Sequence, residues 1–204
     1  MSNREIYIAD ETKRILCEHD ITLYGNRDIV LRPLTDKNLP LLYQWNSDLE
    51  VLYWSEGDDI AEPYDASMVD LIYGSVTENA FCFQIENAGT PVGDCWLQKM
   101  NIKEIAERYP VDVDVRRIDY CIGEKDNWGQ GIGTECLRML LRFAFHEQKV
   151  DVLYIMAYDY NVRSLKMAEH AGFQLEAANP VQDSQKAKYE MVYKLTREDY
   201  MAKE

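Results

Sequence analysis

The hydrophobic pattern of this chain alternates between a period of two and a period near 3.6, and the switches divide it into elements. Within Leu23 to Leu34, Ile29-Val30-Leu31-Arg32 reads as a strand closed by Pro33. Thr35 to Trp45 reads as a helix with Leu39, Leu42 and Tyr43 on its apolar face. Val51-Leu52-Tyr53-Trp54 is a short aromatic segment before an acidic loop, Glu56-Gly57-Asp58-Asp59, and Asp65 is placed to cap a helix reaching about Gly74. Ala80 to Glu86 and Pro91 to Lys99 read as a hairpin turned at Asn87-Ala88-Gly89-Thr90. Met100 to Pro110 reads as a loop with a helical turn, and Val115 to Gly123 as the next strand. Gly131 to His146 is helical, with Ile132, Cys136, Met139/Leu140 and Phe143 at helical spacing. Val152 to Ala157 is a buried type of strand, and Asn161 to Ala171 a helix stopped by Gly172. Phe173 to Ala177 and Tyr189 to Leu195 close the sheet. Ile6 to His19 reads as an appended helix, so the expected organisation is a helical extension, residues 1–22, and one domain, 23–204. The order is α+β with a βαβα unit at the centre.

Composition narrows the class of protein. A chain of 204 residues with 47% apolar side chains has room for one globular core. No apolar run reaches the length of a membrane span, and the polar start, Met1-Ser2-Asn3-Arg4-Glu5, is unlike a signal peptide, so a cytoplasmic enzyme is expected. Cys17, Cys82, Cys95, Cys121 and Cys136 lack metal-site or C-x-x-C spacing and read as reduced, several of them buried. His19, His146 and His170 are scattered, and no metal site is expected. The net charge of −14, from 36 acidic and 22 basic side chains, disfavours nucleic acid and anionic membranes as partners. It fits either simple solubility or a cationic substrate.

The strongest chemical signal is Trp128-Gly129-Gln130-Gly131-Ile132-Gly133-Thr134. It follows the strand Arg117-Ile118-Asp119-Tyr120-Cys121-Ile122-Gly123 and opens the central helix. A glycine-rich strand-to-helix turn leaves backbone N–H groups free at the positive end of the helix dipole, where a pyrophosphate can bind. The turn lacks the G-K-[ST] of a P-loop, and no acidic ribose ligand stands at the offset of a dinucleotide fold.

Three ordered markers identify a resemblance. With the Trp128–Gly133 turn come Asn161-Val162-Arg163-Ser164-Leu165 and His170-Ala171-Gly172-Phe173, and this whole segment resembles the GNAT acetyltransferase superfamily. Adding Trp45, Val51 to Trp54, Pro91-Val92-Gly93 and Arg117-Ile118-Asp119, residues 28 to 195 resemble the aminoglycoside 6′-N-acetyltransferases. The resemblance implies a mixed, largely antiparallel central sheet with flanking helices and a splayed parallel strand pair, holding Tyr120 and Ile155, with acetyl-CoA in the gap. It implies cofactor contacts from Tyr120, Cys121, Ile122, Trp128, Gly129, Gln130, Gly131, Ile132, Gly133, Thr134, Asn161 and Ser164. Asn161 doubles as an N-cap in the bare reading of the residues.

An amine must be neutral when it attacks, so a carboxylate that holds the ammonium and accepts its proton is required. The resemblance gives that role to Asp119; its alternative is a structural pairing with Arg116 or Arg117. Tyr53 and Trp54 read as an aromatic wall for a sugar or ammonium, or as core. Glu56 and Asp58 read as substrate-side acids or a solvated loop, and Asp159 as a substrate carboxylate or a capping residue. Glu104 or Glu107 stands where the subfamily has a further acidic residue. The family commonly offers a Tyr as general acid for the leaving thiolate where this chain has Ala168, so either the thiolate leaves without protonation by the protein or another group, Tyr160, Cys121 or a water, takes that task. The expected activity is direct acetyl transfer, in a ternary complex, from acetyl-CoA to an amine of a cationic small molecule, an aminoglycoside above all, by a monomer or homodimer. The alternatives are a peptide N-terminus, another metabolite amine, or a CoA-binding module that has lost catalysis.

Overall fold

The computed structural model describes residues 19–182 and 184–203. Eight strands lie in one sheet: β1 (Leu23–Tyr24), β2 (Ile29–Pro33), β3 (Ala80–Asn87), β4 (Thr90–Lys99), β5 (Val115–Ile122), β6 (Val152–Tyr158), β7 (Gln174–Pro180) and β8 (Tyr189–Thr196). Their order across the sheet is β1-β2-β3-β4-β5-β6-β8-β7. Neighbours are antiparallel except β5 and β6, which run parallel and pair only at Val115–Val152, Arg116–Leu153 and Arg117–Tyr154. Past Arg117 the two strands have no common ladder, although β4 follows β5 to Ile122 and β8 follows β6 to Tyr158. This is the splayed pair expected of the fold.

The helices are α1 (Leu39–Asn46), α2 (Leu49–Ser55), α3 (Ala66–Thr77), α4 (Lys103–Ala106), α5 (Ile132–Arg142), α6 (Val162–His170) and α7 (Arg197–Met201). Strand alternation sorts them into two layers. On β4 and β5, Cys95, Leu97, Ile118, Tyr120 and Ile122 pack with Cys136, Leu137 and Leu140 of α5 and with Ala168 of α6. The intervening Trp96 and Cys121 pack on the other side with Trp45 of α1, Val51 of α2, and Val69 and Tyr73 of α3. Leu137 and Leu140 are fully buried, worth about 1.5–3 kcal/mol each relative to exposure. Ile105 of α4 covers a smaller cluster with Val115, Val152, Tyr154 and Val192.

Several boundaries differ from the sequence reading for identifiable reasons. Val51 to Trp54 is helical: Asp48 caps α2 by accepting from the Glu50 N–H, and burial of Val51 and Leu52 overrides the strand-like composition. The first helix is preceded by a 3-10 turn at Asp36–Asn38. The helix after the glycine turn ends as α-helix at Arg142 and continues as a π-type turn, Phe143–Glu147, which keeps Phe143, Ala144 and Phe145 all buried. β7 runs on to Pro180. The helix expected over Ile6 to His19 lies outside the described residues except for His19, which is not helical. Ile21 already packs against the main core, and the His19 ring lies 4.8 Å from that of Phe83. Cys82, Cys95 and Cys136 are buried and Cys121 is half-buried, none of the four in a disulfide, and Cys17 lies outside the described residues. Among the described residues no helix is long and apolar enough to cross a membrane, and no group of three His, Cys, Asp or Glu could hold a metal ion.

Candidate functional site

The glycine turn stands between β5 and α5 and has the backbone that its sequence demands. Gly129 and Gly131 have φ of +75° and +82°, a region that costs a side-chain-bearing residue about 1–2 kcal/mol. Gly131 caps α5 in the left-handed conformation, so the chain enters the helix with the N–H groups of Ile132, Gly133 and Thr134 in its first turn. Space around the two glycines is open: a Cβ on Gly129 would meet nothing within 4 Å, and one on Gly131 only the Arg27 guanidinium. The turn is braced from behind. The Trp128 indole N–H donates to the Ile122 carbonyl at 2.6 Å, and the Gln130 amide donates to the Asp126 carbonyl at 2.6 Å. The side chain of Ile132 is buried in the main core. Trp128, Gln130 and Ile132 therefore spend their side chains on holding the turn, and only their backbone is left for a ligand.

Across the splay, Asn161 begins α6, with its Oδ1 accepting from the Ser164 N–H at 3.3 Å and its Nδ2 donating to the Trp54 carbonyl at 3.0 Å. The Tyr120 and Ser164 hydroxyls are hydrogen-bonded at 2.6 Å, joining β5 to α6. Burial pushes the Tyr120 phenol up to about 12. The open glycine turn, the edge of β5 at Tyr120 to Ile122 that β6 leaves unpaired and the start of α6 thus border the cleft where the two strands part, and the turn carries the backbone N–H groups that an anion needs.

The opposite face of β5 carries charge. Strand alternation turns Asp119 away from Tyr120 and toward α1–α3. The Asp119 carboxylate accepts the Trp96 indole N–H at 2.8 Å and is gripped by two nitrogens of the buried Arg117, the Nε at 2.7 Å. Both readings of Asp119 thus meet in one geometry: it is the partner of Arg117, not of Arg116, which instead pairs with Asp114 at 2.8 Å. A carboxylate has about four acceptor positions. Three are taken, and the donors fix its direction.

Asp94 extends this acidic group. It is 2% exposed and accepts the Tyr73 hydroxyl at 3.0 Å. Burial, followed by the charges of Glu56 and Asp119, pushes its carboxyl up to about 7 against the opposing Tyr73 hydrogen bond. Burial pushes the Cys121 thiol well up too, helped by Asp94 and Glu56. The Arg117 guanidinium, for which burial favours the neutral form, is held charged by Asp119 first and by Glu190 and Glu56 behind it. Asp119, Glu190 and Glu56 therefore act together on one buried cation, and Asp94 is coupled to two of them, Glu56 and Asp119.

The aromatic segment joins this group. Tyr53 packs edge-on to Trp54 at 4.9 Å and against Tyr160 at 5.0 Å, and Tyr158 stacks on Tyr160 at 5.8 Å. The Tyr160 hydroxyl donates to the Tyr53 carbonyl at 2.7 Å. Lys186 sits 4.8 Å over the Tyr53 ring and donates to its hydroxyl at 2.7 Å, and Arg163 lies 5.5 Å over Trp54. Asp58 and Asp159 pin the loop that carries Lys186. Asp58 accepts from the Ser184 hydroxyl at 2.5 Å and the Lys186 N–H at 2.6 Å, and Asp159 accepts from the Lys188 N–H at 3.1 Å. Burial opposes ionisation of Asp58, but Ser184 and these N–H groups outweigh it and hold the carboxyl below its ordinary value. Glu104 is exposed on α4, and Glu107, exposed at its C-terminal cap, lies 4.0 Å from Lys103. Ala168 is fully buried in the main core. Sequence reasoning named Arg117 as one of two possible partners of Asp119 and missed Asp94, Trp96, Glu190 and Lys186. For Asp94 a signal existed: like Asp119, it is a charge amid the apolar residues of a strand.

The acetyltransferase (GNAT) domain family matches residues 28–174. An aminoglycoside N(6′)-acetyltransferase type 1 from Klebsiella pneumoniae is 25% identical over 178 residues, covering 80% of this chain and 83% of the relative. Among solved structures, aminoglycoside acetyltransferase AAC(6′)-Ib in complex with ribostamycin and coenzyme A superposes with a TM-score of 0.70 at 23% identity, over 85% of this chain and 96% of that one. A GNAT-family acetyltransferase from Bacillus anthracis gives a TM-score of 0.68 at 16% identity, over 87% and 99%.

Proposed function

Because the chain belongs to the GNAT acetyltransferase family, an acyltransferase family that uses acetyl-CoA as co-substrate, we propose that it acetylates an amine of a small polycation, the 6′-amine of an aminoglycoside. The observation that carries the acceptor is the grouping of Glu56, Asp119 and Glu190 around Arg117 beside the aromatic wall of Tyr53, Trp54, Tyr158 and Tyr160. Carboxylates with adjacent π faces suit several ammonium groups on a sugar scaffold. The 25% identical relative named for this reaction agrees with that choice.

Acetyl-CoA supplies an acyl thioester already activated for transfer to nitrogen. The amides of the Gln130 to Thr134 turn would hold its pyrophosphate, the free edge of β5 at Tyr120 to Ile122 its extended arm, and Asn161 and Ser164 the far side of the cleft. Asp119 uses its remaining acceptor position to orient the ammonium, while Arg117 and Trp96 keep the carboxylate from turning away. The exposed Glu56 gives the released proton a route to solvent. For the leaving thiolate, Ala168 offers no proton, and Tyr160 directs its own at the Tyr53 carbonyl, which leaves Cys121 or a water.

Thiol release from acetyl-CoA with a panel of aminoglycosides, polyamines and peptides tests this reading. Release confined to aminoglycosides supports it. Release with peptides or simple amines alone keeps the chemistry and overturns the acceptor. Cofactor binding without release on any amine favours an impaired binding module, the reading for which Ala168 speaks.

A further inference from the structure

We propose that Arg27, in the tight turn between β1 and β2, is a phosphate ligand of the CoA site, standing beside the glycine that opens α5. This rests on the acetyl-CoA reading of that turn and names a residue outside the Trp128–Thr134 motif. A Cβ placed on Gly131 would lie 3.6 Å from Arg27 Nη1, so the guanidinium stands directly over the glycine that opens α5. Arg27 is one of the two central residues of the hairpin turn between β1 and β2. Arg27 and Asp28 both have positive φ, +56° and +60°, and the Ile29 N–H closes on the Asn26 carbonyl at 3.2 Å. Such conformations are uncommon without glycine and persist where surroundings enforce them. Here the enforcement comes from α5 itself, because the Asn26 N–H donates to the Glu135 carboxylate at 2.5 Å, and from β3–β4, because the Ala88 N–H donates to the Asp28 carbonyl at 3.1 Å. The turn is thus tied to the first turn of the helix whose N-terminus faces the phosphates.

The charges around it sharpen the inference. Glu135, the acid in the first turn of α5, is engaged by Arg138 at 2.6 Å and by the Asn26 N–H. Lys125, at the other end of the loop, is neutralised by Asp48 at 2.7 Å and Glu50 at 3.1 Å. Among the described residues no hydrogen bond or salt bridge engages the exposed Arg27 guanidinium; its electrostatic neighbour is Glu135, whose carboxyl is held below its ordinary value by Arg138 first and, more weakly, by Arg27. In a chain of net charge −14, a cation held over an anion-binding turn offsets a field that would otherwise repel CoA. A planar fork suits either the pyrophosphate or the 3′-phosphate of the ligand.

The test is calorimetric titration of the whole chain with CoA and with 3′-dephospho-CoA, for the wild type, Arg27→Lys and Arg27→Asn. Asparagine tolerates the positive φ, so Arg27→Asn removes the charge and keeps the turn, which a thermal melt checks. CoA affinity should fall about tenfold in Arg27→Asn, as for loss of one charge-assisted contact at an exposed site, less in Arg27→Lys, and the salt dependence should become shallower. A loss seen with CoA but not with dephospho-CoA places Arg27 on the 3′-phosphate, and an equal loss with both places it on the pyrophosphate. Affinity within twofold of wild type for both ligands would overturn the proposal. Absence of CoA binding by the wild type would instead remove the reading on which it rests.

Discussion

Replacing Asp94 by Asn isolates a single buried ionisation. The carboxyl is 2% exposed and its pKa is pushed from 3.8 up to about 7, first by burial and then by the charges of Glu56 and Asp119. An acid displaced that far costs about 4 kcal/mol to ionise in the folded chain relative to the unfolded one. The sign follows from the direction: the folded state holds the proton more tightly, so the contribution is full below about pH 4 and is lost as pH rises through 7. Asn has nearly the same shape, keeps an oxygen to accept the Tyr73 hydroxyl, and cannot ionise. The other titrating groups cancel between the two proteins. Urea unfolding at pH 5, 6.5 and 8 should therefore show Asp94→Asn gaining about 2–3 kcal/mol on the wild type between the first and last pH. Parallel stability profiles would refute the reasoning, because they would mean that Asp94 ionises in the fold at no cost.

Three further outcomes follow from the site. Asp119→Asn should lower the rate of thiol release about 10²–10⁴-fold with CoA affinity unchanged, and a loss under threefold would remove Asp119 from the chemistry. Gly131→Ala forces a side chain into φ +82°, so it should cost about 1–2 kcal/mol in stability and raise the KM for acetyl-CoA in steady-state assays; an unchanged KM and melt would show that the turn is not the cofactor's. Asp58→Ala frees the Ser184 hydroxyl and the Lys186 N–H, so it should raise acceptor KM more than it lowers kcat and speed proteolysis between residues 181 and 188, whereas an unaltered digestion pattern would show that the loop does not depend on it.

What the sequence made legible and what it hid divide along physical lines. The glycine turn, the Asp65 cap and the β3–β4 hairpin were readable because each is settled locally, by φ preference, side-chain capping or turn chemistry. The helicity of Val51 to Trp54 was hidden because packing of Val51 with residues of α1 and α3, and full burial of Leu52, decide it, not propensity. In the same way Asp119 was readable as a costly charge in an apolar strand, but its partner was not. Arg116 and Arg117 are both adjacent in sequence, and only alternation across the pleat puts Arg117 on the face of Asp119. Asp58 and Asp159 stand where a substrate-side loop was expected, yet their acceptors are occupied by Ser184, Lys186 and Lys188, contacts 29 to 128 residues away in sequence. Lys186 lies in a stretch with no pattern of its own and acquires meaning only over the Tyr53 ring.

The most direct test of the account is a matched pair of aminoglycosides, one with an amine and one with a hydroxyl at the 6′ position, incubated with acetyl-CoA and followed by thiol release and product mass. The account predicts one acetyl group added to the 6′-amine compound, little or none to its 6′-hydroxyl counterpart, and loss of the reaction in Asp119→Asn. Equal acetylation of both compounds, or of neither while a peptide or simple amine is acetylated, would contradict it.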